Sequence, residues 1–209
     1  MLCTCTKAEE TVIKSNANNS NKIALTFDDG PHPIITPKVL SLLKKYNIKA
    51  TFFVIGANID NYPEPLKQAV KNGHEIGNHT NSHRILKALS KKEILKEIEF
   101  CRKKIYDLTG YKSTLLRPPC GQFDDKLINI AKQNNDKIIL WNIDTNDWSH
   151  MKTNEIIKTG SNNVKGGDII LFHDYISGEY HTIEALEKMI PMLLSKGYEF
   201  VTVSELLQN

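Results

Sequence analysis

The chain has 209 residues, 40% of them hydrophobic, which suffices for one sizeable domain and is too apolar for a disordered chain. The net charge is +3 and the lysines are scattered, which excludes the basic footprint of a nucleic-acid binder and allows only weak attraction to an anionic polymer. No apolar run approaches the about 18 residues of a membrane span. The expected protein is a monomer with neither a nucleic-acid partner nor a membrane span.

Residues 1–21 differ from the rest. They open Met-Leu-Cys-Thr-Cys and pass into an Asn- and Ser-rich stretch. The basic start and apolar core of a complete signal peptide are absent. The segment reads as a leader remnant, cleaved near Ala8, or as a flexible tail. Cys3, Cys5, Cys101 and Cys120 form no zinc-knuckle or disulfide framework.

From Lys22 onward strands and helices alternate. Ile23 to Phe27 is an apolar strand, ended by Asp28-Asp29-Gly30-Pro31. Thr36 and Pro37 suit an N-cap and first-turn proline for a helix carrying Val39, Leu40, Leu42 and Leu43. Ala50 to Ile55 reads as a second buried strand, Pro63 to Lys71 as a helix, and His74 to Gly77 as a short strand or turn. Ser90 to Glu93 forms a capping box for a long helix ending at Gly110. Then follow strand Leu115–Leu116, helix Asp125–Gln133, strand Lys137–Ile143, helix Thr153–Thr159, strand Asp168–Phe172, helix Thr182–Ser195, strand Phe200–Val203 and a final turn of helix. This order predicts an α/β protein with a parallel sheet; its six or seven βα units fit a barrel slightly short of the regular eight-stranded one, or a doubly wound open sheet.

Five strand ends carry chemistry. Two adjacent carboxylates, Asp28 and Asp29, close the first strand; they suit a metal or acid/base site, or plain turn chemistry. His79 and His83 are four apart and can face one metal if helical, or lie on a solvated surface. Arg117-Pro118-Pro119-Cys120-Gly121 is a rigid loop whose arginine can hold a carboxylate. Asp144-Thr145-Asn146-Asp147-Trp148 and Leu171-Phe172-His173-Asp174 follow two further strands. Each alone is an ordinary turn or core residue. Together they place Asp, His and Arg at five strand ends, and strand ends converge on the active site of a barrel.

In this order, TFDDG, HTNSH, RPPCG, DTNDW and LFHD resemble the five motifs of the polysaccharide deacetylases, the NodB-homology domain of carbohydrate esterase family 4. The resemblance spans about Lys22 to Leu207. It implies a TIM-like distorted (β/α) barrel of seven or eight strands, with residues 22–209 as the catalytic domain, and metal-dependent removal of acetyl groups from N-acetylglucosamine polymers. By that likeness Asp29, His79 and His83 hold one divalent ion, zinc by default, with cobalt or nickel also compatible. Asp28 is the general base, paired with Arg117. His173 is the acid, held by Asp147. The Cys120 amide serves the oxyanion, and Leu171 and Trp148 wall the acetyl pocket. Cys120 departs from the family's usual tyrosine, which removes one ring from the groove. The expected substrate is an N-acetylated glycan, peptidoglycan first, then chitooligosaccharide or acetylxylan, met outside the cell or at its wall. A non-catalytic glycan-binding protein on the same fold would lack the base, a ligand or the acid, and none is missing.

Overall fold

The computed structural model describes residues 11–17, 21–175, 178 and 180–208. Of the stretch read as a leader remnant or flexible tail, residues 1–10, with Cys3 and Cys5, and 18–20 lie outside the described residues.

The strands are β1 (Val12–Ile13), β2 (Lys22–Asp28), β3 (Thr51–Val54), β4 (Glu75–Asn78), β5 (Leu115–Leu116), β6 (Lys137–Ile139), β7 (Ile143–Asp144), β8 (Ile169–His173) and β9 (Glu199–Phe200). The helices are α1 (Ile35–Lys45), α2 (Gly56–Asn61), α3 (Pro63–Lys71), α4 (Lys91–Thr109), α5 (Asp125–Asn134), α6 (Thr153–Ser161), α7 (Thr182–Ser195) and α8 (Val203–Leu207). All strand pairs are parallel, in the order β1-β6-β5-β4-β3-β2-β8-β7, with β9 added beside β2.

That order forces a curl. β6 lies near one end of the sheet and β7 at the other, yet only Leu140, Trp141 and Asn142 join them. Such a link spans at most about 14 Å, so the sheet must bend until its ends approach. Leu140 N–H donates to Ile13 on one edge and Asn142 N–H to Ile169 near the other. The single strand expected over Lys137–Ile143 is therefore two, split where the chain crosses the gap. Val12 and Ile13, in the stretch read as tail, pair with Ile138 and Ile139 and supply an edge strand.

The strand pleat separates two cores. Along β2, Ile23, Leu25 and Phe27 face the helices and pack with Phe52 and Phe172, the Phe27 and Phe52 rings stacking at 5.0 Å. Ala24 faces the other way, into a barrel interior shared with Phe53, Leu115, Ile139 and Ile169. Val201, Val203 and Leu206 plug the bottom of that interior, where Glu75 accepts the Ser204 N–H of α8. By the same alternation Asp28 on β2, His173 on β8 and Arg117 after β5 point inward at the open, carboxyl end.

Candidate active site

β2 and β8 pair so that Asp28 lies opposite His173. β4 and β5 pair Asn78 with Leu116, which sets the next residues, His79 and Arg117, side by side. Register alone thus gathers four of the expected residues at one mouth.

Arg117 is fully buried and crosses the barrel interior. Nη1 donates to Asp28 Oδ1 at 2.7 Å and to Thr26 Oγ1 at 2.9 Å. Nε and Nη2 donate to the Ile139 and Leu140 carbonyls, and the guanidinium lies 4.0 Å from the Phe53 ring centre. Phe53 in turn fits only because residue 77 is glycine, since a Cβ there would meet the ring at 2.2 Å. The pair with Arg117 compensates the buried Asp28 charge. It also occupies Oδ1 and leaves Oδ2, 3.7 Å from His79 Nε2, toward the neighbouring imidazole.

His79 and His83 lie in a loop, not on the helix that their spacing suggested. Left-handed backbone at Thr80 (φ 69°) and His83 (φ 56°) turns both rings to one point. Asp29 is left-handed too (φ 73°), and the Asn58 amide holds its carbonyl at 2.7 Å. Each such non-glycine residue costs on the order of 1 kcal/mol, which the surrounding bonds must offset. His79 Nδ1 bonds the Arg117 carbonyl at 2.7 Å, which assigns the neutral ring's proton to Nδ1 and leaves a lone pair on Nε2. Thr80 Oγ1 accepts the His83 N–H at 3.1 Å, within the loop.

The donor set fits a divalent cation. Asp29 Oδ1 is buried and accepts no hydrogen bond, although His79 Nε2 lies 3.4 Å and His83 Nε2 3.2 Å from it. Two ligands about 2.1 Å from a shared zinc ion and roughly 100° apart stand about 3.2 Å from each other. Converging lone pairs of this kind repel unless a cation lies between them. Without one, the groups polarise each other. Burial raises the Asp29 pKa, but His79, with His83 and His173, outweighs it and the net direction is down. Burial also works against the His79 imidazolium, but Asp28 and Asp29 raise its pKa overall. His83 is lowered, by burial and by the charge of His79.

His173 Nδ1 bonds Asp147 Oδ1 at 2.8 Å. Asp147 Oδ2 accepts the His173 N–H at 2.9 Å and the Thr182 hydroxyl at 2.8 Å. Burial alone would lower the His173 pKa, but Asp147 more than offsets it, helped by Asp28 and Asp29, and raises it to about 9. Nδ1 is tied to Asp147, so Nε2 is the nitrogen that can carry a proton outward.

A cavity of about 350 Å³ is lined by Asp28, Asp29, His79, His83 and His173, together with Cys120, Trp148 and Leu171. All ten expected site residues are thus placed: eight line the cavity, while Arg117 and Asp147 stand behind Asp28 and His173. Trp141 and Asp144 also line it and were not singled out from sequence. Trp141 packs on Gly121, and Asp144 accepts the Asn146 N–H and the Trp148 indole. Cys120 is exposed, at φ 55°. His74 is buried, with its Nδ1 accepting the Ala50 N–H. Thr36 does not cap α1; it accepts the His32 N–H and donates to Asp174. A larger cavity of about 490 Å³, lined by Arg102, Tyr106 and Asp136 among others, opens at the amino ends of β5 and β6 and gathers none of these groups.

A curled parallel barrel with an Asp-His-His set and two flanking acid/base pairs defines a hydrolase-like centre. The polysaccharide deacetylase family model matches residues 15–138. A peptidoglycan-N-acetylglucosamine deacetylase of Bacillus cereus is 42% identical over 193 residues, 91% of this chain and 90% of that one. The crystal structure of a peptidoglycan N-acetylglucosamine deacetylase in complex with an N-oxidanyl-benzamide superposes with a TM-score of 0.91, at 36% identity, covering 94% of this chain and 92% of that one. A family 4 acetyl xylan esterase from Clostridium thermocellum, in complex with a cobalt ion, gives 0.82 at 37% identity over 89% and 90% of the two chains. The chain belongs to the polysaccharide deacetylase family and is an enzyme of that family.

Proposed function

We propose that the enzyme removes N-acetyl groups from N-acetylglucosamine units of a glycan, with bacterial peptidoglycan as the polymer, acting as a monomer outside the cell or at its wall. The observation that carries this is the single cavity where the Asp28–Arg117 and His173–Asp147 pairs flank Asp29, His79 and His83. The peptidoglycan deacetylases at 42% and 36% identity support the choice of polymer.

Asp29, His79 and His83 hold one divalent cation, zinc by ligand type with cobalt or nickel also compatible, and when bound it polarises the acetyl carbonyl and acidifies a water. Asp28 takes a proton from the attacking water through Oδ2, the oxygen that Arg117 leaves open. The water oxygen bonds to the carbonyl carbon, and the backbone N–H of Cys120 donates to the oxyanion. The C–N bond then breaks, and His173 Nε2 protonates the departing nitrogen. The products are acetate and a free glucosamine amine. Leu171 and Trp148 enclose the acetyl methyl.

Acetate release by the metal-loaded protein from purified peptidoglycan, chitooligosaccharides and acetylxylan, side by side, tests the proposal. Release is expected first from peptidoglycan and lost in Asp28→Asn. Release from acetylxylan alone would make the protein an esterase. No release from any of the three, with an ion bound, would overturn the reading.

A further inference from the structure

α4 buries one charged residue on its apolar face. Glu97 is 9% exposed and sits beside Ile94, Ile98 and Cys101. Among the described residues no lysine or arginine is ion-paired with it. Its partners lie in the loop between His79 and His83. Oε2 accepts the Asn81 N–H at 3.0 Å and the Ser82 N–H at 2.8 Å, and Oε1 accepts the Ser82 hydroxyl at 2.6 Å. Charge-assisted bonds of this kind are about twice as strong as neutral ones. The same helix also holds the end of β4 that leads into the loop, and the loop itself at Asn81. The Ile98 carbonyl accepts the Asn78 amide at 2.8 Å, and Lys104 Nζ donates to Asn81 Oδ1 at 2.8 Å.

The two histidines differ in their need of this support. His79 is buried and fixed through Nδ1 on the Arg117 carbonyl. The His83 side chain is 36% exposed, and among the described residues its ring touches Asp29 but makes no second polar contact. A metal-bound histidine normally has its other nitrogen held by a neighbouring acceptor. Here the direction of the His83 ring is inherited from its left-handed backbone, and that backbone follows directly from Asn81 and Ser82.

We infer that Glu97 is a positioning residue for the cation centre, whose carboxylate fixes the backbone of Asn81 and Ser82 and thereby aims His83 at Asp29. This rests on reading Asp29, His79 and His83 as that centre.

The test is zinc affinity of the full chain by chelator competition, with the absorption spectrum of the cobalt-loaded protein as a second readout. Glu97→Met keeps the length of the side chain but removes every acceptor, leaving the Asn81 and Ser82 N–H groups without their partner. It is expected to weaken zinc binding by about 10- to 100-fold and to shift the cobalt spectrum, the usual scale for groups that orient metal ligands. Ser82→Ala removes one bond and is expected to weaken binding less; it carries the test if Glu97→Met does not fold. Arg102→Ala, on the same helix, breaks the Arg102–Asp136 ion pair away from the site. It is expected to lower the melting temperature and leave zinc affinity and the cobalt spectrum unchanged. Wild-type affinity and spectrum in Glu97→Met, or in Ser82→Ala where only that variant folds, would overturn the inference while leaving the metal reading intact. A wild-type chain that binds neither ion would overturn both.

Discussion

Asp147→Asn isolates the charge that tunes the proposed acid. The amide is the same size, and its oxygen can keep the Thr182 hydroxyl and the His173 N–H that Oδ2 accepts. What is lost is the acceptor and negative charge at His173 Nδ1. Those hold the His173 pKa at about 9 against burial. Without them burial, the largest influence, is opposed only by Asp28 and Asp29, and the value falls toward the ordinary imidazole value of about 6.5. Near pH 8, an acid of pKa about 9 is roughly nine-tenths protonated and one of about 6.5 roughly 3%. The variant should therefore lose about 30-fold in kcat/KM near pH 8, but less than about twofold near pH 6 from this cause.

The same shift acts on stability. His173 has a folded pKa above its unfolded value of 6.5. Its contribution is complete below about 6.5 and is lost as pH rises through about 9, some 3 kcal/mol in all. The wild type should lose that much between those limits, and Asp147→Asn should not. The assays are kcat/KM on a soluble N-acetylglucosamine oligomer and melting temperature, each across that range. An alkaline limb at the same pH in both proteins would refute the role of Asp147.

Arg117→Met leaves Asp28 buried without its cation. It should cost about 3–5 kcal/mol, or roughly 6–20 °C in melting temperature, and a fall under about 3 °C would show that the pair is not needed for the fold. Gly77→Ala drives a methyl into the Phe53 ring that lies under Arg117. Overpacking there should cost about 1–3 kcal/mol by denaturant unfolding. His83→Ala removes a partly exposed member of the proposed cation centre, so elemental analysis should find bound ion falling from near one per chain to near none, with circular dichroism unchanged. Cys120→Tyr adds a ring beside the cavity but keeps the backbone donor, so KM should fall severalfold with kcat within about twofold.

Much of this was visible in local sequence because strand parity and strand ends are local properties. Asp28 ends an apolar strand and must point inward if Ala24 does; Arg117 follows from Leu115, and His173 from Leu171, by the same rule of two. Parallel strands in a barrel then share one mouth. What stayed hidden depends on partners distant in the chain. Nothing in Lys137–Ile143 marks Trp141 as a crossing point, because the gap it crosses is created by the other strands. Val12 and Ile13 are too short to stand out, and become a strand only because Ile138 and Ile139 offer an open edge. His79 and His83 meet through left-handed backbone at Thr80 and His83, which their spacing does not announce, so helical spacing paired the two rings for the wrong geometric reason. Glu97 did leave a trace: it interrupts the stripe of Ile94, Ile98, Cys101 and Ile105 at a position that must be buried. A carboxylate there has to find donors, and the donors within reach of α4 are the backbone amides between two histidines. A charge on the wrong face of a helix thus points to the segment that the helix holds in place.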